Sequence, residues 1–229
     1  MDTPTISFHE SFRDPHAELW FGEPAGYTAL PVDALLPRPD SPDADKLRTS
    51  VAPFLDSLPD EIVRQRFIAQ FASGQRLLAT LCDFGTVHCS IGLHRDDVED
   101  RGADIGPPLL SLFTISWRDT KVAPRGVTAA RAVTATGNHA HIEFLELPCG
   151  PAAFSETILT ASADSCLPQE PLMQIHAHLP HPDCRRLAVL TVSTTALSRR
   201  EEYREILRQI AGTVSFVNPA DAGTNKEHR

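Results

Sequence analysis

Residues 171–181 (PLMQIHAHLPH), 182–185 (PDCR), 186–196 (RLAVLTVSTTA) and 198–214 (SRREEYREILRQIAGTV) decide the fold class. In the first run Met173, Ile175, Ala177 and Leu179 alternate with Gln174, His176 and His178, which is the period-2 signature of a strand with one apolar face. The second run is rich in β-branched residues, and the Pro-Asp between the two marks a turn. In the last run Tyr203, Ile206, Leu207, Ile210, Ala211 and Val214 recur at helical spacing. Ser198 followed by Glu201 reads as a capping box, and Gly212 lies near the helix end. The order is therefore strand, turn, strand, helix. A histidine triplet, His176-Ala177-His178, sits on the first strand, and a second, His139-Ala140-His141, lies upstream.

Working upstream, residues 139–147 and 109–117 (LLSLFTISW) read as strands, and 127–135 reads as another. Residues 76–83 and 86–93 read as a hairpin turning at Phe84-Gly85. Residues 152–165 fit a short helix or a strand equally. Helices are expected over 42–55, capped by Ser41, and over 58–73, capped by Ser57 and closed by Gly74. Residues 26–32 (GYTALPV) read as a short edge strand ended by Pro31. Residues 94–108 carry Asp96, Asp97, Glu99, Asp100 and Asp104 without the spacing of a calcium loop, so a solvated acidic loop is expected. The fold class that follows is α+β: an antiparallel β-sheet of about six or seven strands with helices 58–73 and 199–213 packed on one face. The domain division is an N-terminal segment, 1–25, packing on the body; a single domain over 26–217; and a flexible tail over 218–229.

Composition narrows the function classes. The chain has 229 residues, 41% of them hydrophobic, and a net charge of −9. A core is affordable, and the acidic balance argues against nucleic acid or an anionic membrane surface. No run is long enough to span a bilayer, so no membrane insertion is expected. The first twelve residues contain no basic-then-apolar run, so a cytoplasmic location is expected. Five cysteines without a C-x-x-C spacing read as reduced thiols.

Strand alternation also sorts the candidate chemistry. His139, His141 and Glu143 share one face of their strand, His176 and His178 share one face of theirs, and His88 with Ser90 and His94 opposes Val87, Cys89 and Ile91. If the two triplet strands are neighbours, imidazoles face one another across the ladder. His139, His141, Glu143, His176 and His178 would then suit zinc or another divalent metal. The plainer alternative is a polar sheet face meeting water, where histidine serves as well as threonine. Nucleophile elbows and phosphate loops are absent, and Cys149 in Pro-Cys-Gly-Pro has no base placed beside it. Arg125 and Arg131 flank a small-residue stretch and are read as partners of surface acids.

Residues 187–195 (LAVLTVSTT), 200–213 (REEYREILRQIAGT) and 214–216 resemble the close of the PsbP-like, Mog-type α+β fold, which includes the actinobacterial LpqN group. The segments LFTISWRDT (112–120) and QIHAHLPHPD (174–183) are similar to stretches of actinobacterial proteins. The resemblance covers about the last 45 residues. It implies an antiparallel sheet with flanking helices, and roles that are mainly binding and assembly. The expected function is thus a non-enzymatic binding or assembly protein with a protein partner or a second copy of itself, acting through the polar sheet face or the aromatic N-terminal segment. No cofactor is expected. The competing expectation is a metal-binding protein, or metal-dependent enzyme, using the histidine cluster.

Overall fold

The computed structural model describes residues 6–8, 11, 17–24, 26–38, 40–56, 60–94, 109–135, 137, 139–160 and 171–218. The strands are β1 (Ile6–Phe8), β2 (Gly22–Pro24), β3 (Tyr27–Ala29), β4 (Thr86–His94), β5 (Leu109–Asp119), β6 (His141–Leu147), β7 (Gly150–Leu159), β8 (Leu172–Pro180) and β9 (Arg186–Thr194). The helices are α1 (Val32–Leu35), α2 (Pro42–Asp56), α3 (Glu61–Asp83), α4 (Arg125–Thr134) and α5 (Arg200–Thr213). β1 and β2 form a small ribbon, and the other seven strands form one sheet in the order β3-β4-β5-β9-β8-β7-β6, every pairing antiparallel. An α+β architecture with an antiparallel sheet is therefore what the chain adopts. Among the described residues, no helix is long and apolar enough to cross a membrane.

The helices do not share one face. α5 lies on the side carrying Phe113, Met173, Ile175, Leu179, Leu190 and Val192, where Tyr203, Leu207, Ile210 and Ala211 complete the main core. Leu19 and Phe21 join that core, and Trp20 bridges Ser215. α4 lies on the opposite side, packing Ala129 and Val133 on Ala153. The expected helix 58–73 is the longer α3, and it stays off the apolar face. It meets the sheet chiefly beside β4 and leaves Ile62, Ile68 and Leu77 exposed.

Three segments depart from the sequence reading. Residues 76–83 are helical, not a strand. Gly74 sits in open space within α3, and Leu, Ala and Arg after it are good helix formers. The stop is Gly85, whose φ of +81° supplies the left-handed residue that closes a helix, with its N–H donating to the Cys82 carbonyl at 2.9 Å. The start also moves, because the Asp60 carboxylate accepts from the Val63 N–H at 2.8 Å. The proposed Ser57 cap lies outside the described residues.

Residues 127–135 are likewise helical. Pro124 directly precedes the first turn of α4, where its fixed φ suits a helix start, and Ala129, Ala130 and Ala132 outweigh the β-branched neighbours. Finally, Ser198 forms no capping box. A 3-10 turn over Leu197–Arg199 leads into α5, and Arg199 occupies the cap position without a side-chain capping bond, its guanidinium pairing instead with Glu202. Ser41, by contrast, does accept from the Ala44 N–H at 3.2 Å. The acidic loop over 95–108, residues 161–165 and the tail from 219 lie outside the described residues.

One arginine fixes α4 to the sheet. The Arg125 Nε–H donates to the Pro180 carbonyl at 2.9 Å, and its Nη2 donates to the Cys149 carbonyl. Gly150 has φ +118°, and a Cβ there would run into the Arg125 guanidinium, so only glycine fits this turn.

Candidate functional site

The α4 side of the sheet is not filled. A cleft of ≈ 710 Å³ runs between the C-terminal half of α4 and strands β5, β9, β8 and β7. Antiparallel register explains its floor. Residues directly opposite on neighbouring strands share a face, and one row crosses the sheet as Thr114, Thr191, His176 and Ser155. The next row carries Ser116, Val189, His178 and Ala153. Ala132 of α4 and Ala135, which caps its end, form the wall, and His139 enters from the connection between α4 and β6.

Three imidazoles therefore meet in this cleft. The His176 and His178 rings lie 5.9 Å apart. His176 Nδ1 shares a hydrogen bond with Thr191 Oγ1 at 2.9 Å, and His178 Nε2 shares one with Ser155 Oγ at 3.2 Å. His178 Nδ1 and both ring nitrogens of His139 are buried and have no hydrogen-bond partner among the described residues. Burial, the neighbouring His139 and the Arg118 guanidinium hold His176 down at about 4. Burial, followed by His176, His139 and Arg118, holds His178 down at about 3. Both rings are neutral near pH 7, so each offers one donor and one acceptor.

The five expected ligands fall into two groups. β7 lies between β6 and β8, so the two triplet strands are not neighbours. His139, His176 and His178 line the cleft, whereas His141 and Glu143 turn to the α5 side. His139 precedes the first residue of β6, so strand alternation does not carry it to the face of His141. Glu143 accepts from Arg208 Nη2 at 2.7 Å, and fully buried Glu156 accepts from Arg204 Nε at 2.8 Å. Among the described residues, no group of three or more His, Cys, Asp or Glu side chains is placed to hold a metal ion. His88 also departs from the expected face. A register shift between Thr86 and His88 turns it toward the α5 side, where it meets Phe21, Phe113 and the Glu23 carboxylate at 2.7 Å.

The Cys89 and Cys149 thiols are poor nucleophiles. Burial pushes Cys89 up to about 11 and raises Cys149 as well. The sequence reading missed Arg118, whose guanidinium lines the cleft, because it ended the strand at Trp117. Carrying the alternation of β5 one residue further puts Arg118 on the face of Thr114 and Ser116. It also missed Ser155 and Thr191, whose roles depend on a strand order that alternation alone does not reveal. Comparison with known proteins finds no matching family model, no matching curated protein and no matching solved structure.

Proposed function

We propose that the protein is a non-enzymatic binding protein and that its ligand, a small organic molecule, sits in the cleft beneath α4. The observation that carries this reading is the set of buried imidazole nitrogens on His139 and His178 that have no partner among the described residues. Buried polar atoms are normally satisfied, and leaving one unpaired costs about 1–3 kcal/mol, so a site that collects several is suited to a ligand that supplies the missing bonds. The cleft volume falls within the range of about 300–1,000 Å³ typical of small-molecule sites. Neutral rings whose protonation lies well below pH 7 make weak acid–base catalysts there, which favours binding over turnover. The burial of Trp20 and Phe21 in the core favours the sheet face over the N-terminal aromatics as the binding surface. The likeness of the closing strand and helix to PsbP-like chains, whose roles are mainly binding and assembly, points the same way.

The test is a fragment screen against protein labelled with ¹³C at histidine. Saturable shifts of the His139, His176 and His178 signals are expected, with His88, across the sheet, unmoved. A screen in which none of the three moves, or in which His88 moves equally, would overturn the reading.

A further inference from the structure

The cleft carries a charge that the rest of its chemistry does not answer. Arg118 lies at the solvent-exposed end of β5, on the same face as Ser116, and lines the cleft. Its guanidinium has no hydrogen-bond or ion-pair partner among the described residues. It acts electrostatically on both His176 and His178, so it stands within reach of the same space. The described lining contains no carboxylate, although the chain has 30 acidic residues. Arg186 of β9 is paired with Glu18, and Arg204 and Arg208 of α5 are paired with the strand residues Glu156 and Glu143.

A planar guanidinium presents parallel N–H donors that match a carboxylate. The remaining surface sets the rest of the ligand. Leu187 and Val189 on the floor, Ala132 and Ala135 on the wall, and the partly exposed Ile158 and Leu159 offer apolar contact. One fixed positive charge balances a monoanion. A phosphate dianion would call for a second cation, which neutral imidazoles do not provide.

We propose, building on the reading of the cleft as a small-molecule site, that its ligand is an organic monocarboxylate with an apolar body, its carboxylate held by Arg118. The probes are octanoate and its uncharged counterpart octanamide, titrated into ¹³C-histidine-labelled full-length protein. Octanoate is expected to shift the His139, His176 and His178 signals saturably and to bind about tenfold or more tightly than octanamide, the range of a charge-assisted hydrogen bond. Arg118→Gln is expected to erase that difference, and Arg118→Lys to retain part of it, with thermal midpoints unchanged because the side chain is exposed. Equal binding of the two probes, or a preference that survives in Arg118→Gln, overturns the carboxylate assignment while leaving the cleft as a binding site. Octanoate that fails to move any of the three signals overturns the assignment too, and the fragment screen then decides separately whether the cleft binds anything.

Discussion

On the α5 side of the sheet, Phe113, Met173, Leu190, Leu207 and Ile210 fill the space, and two arginines one helical turn apart meet the two glutamates that the strands present. On the α4 side, the same strands present histidines, serines and threonines to a short helix that covers only part of them. Strand alternation makes both faces at once, so their difference is one of finish. The first face is packed to exclusion. Each face buries polar atoms without partners among the described residues, Glu156 Oε1 on the first and the His139 and His178 nitrogens on the second, but the second sets them beside a cleft of ≈ 710 Å³, which is how a folded chain holds a site at some cost in stability.

The comparison is most exposed to failure at Arg204. Arg204→Ala leaves the fully buried Glu156 carboxylate unpaired and should lower stability by about 3–5 kcal/mol, read from urea unfolding. A loss below about 1 kcal/mol would mean that the α5 face is not sealed. Acid is the next lever. An unfolded imidazole takes its proton near 6.5, while the folded His176 and His178 wait until about 4 and about 3. The unfolded state therefore binds more protons across that window, and stability falls as pH drops below about 6.5. The expected slope is about 1.4 kcal/mol per pH unit for each of the two rings, and urea midpoints measured from pH 7 to pH 5 should flatten by one ring's share in His178→Asn.

Arg125→Ala should cost about 1–3 kcal/mol and speed amide exchange along α4 while leaving α5 protected. Equal loosening of both helices would contradict their independence. The smallest effect has the opposite sign. His139→Leu removes two unpartnered ring nitrogens, so it should raise stability by about 1 kcal/mol while abolishing ligand shifts at His178. A destabilised His139→Leu would show that the ring is structural.

The sealed face was the legible one. The stripe from Tyr203 to Val214 and the alternation from Met173 to Leu179 each report burial directly, because each apolar side chain answers to its own element's period. The open face depends on information that no single segment carries. Nothing in the Thr- and Ser-rich run now seen as β7 says that it inserts between the two histidine strands. α4 was hidden because Val127, Thr128, Val133 and Thr134 imitate a strand, and only Pro124 and the alanines mark the helix. In β4, a single register shift was enough to move His88 across the sheet.

Arg125 ties down the start of α4, and Ala129 and Val133 seat its later turns on Ala153. The Arg125 guanidinium occupies the space where a side chain at Gly150 would begin, and it ties the helix start to the Pro180 and Cys149 carbonyls. The wall of the cleft is thus held at both ends of α4, and it borders the open volume through Ala132 and Ala135. Related chains are expected to vary at 132, 135 and 139, refitting the edge to new contents, whereas 150 stays glycine because its φ of +118° strains any side chain, whatever stands at 125.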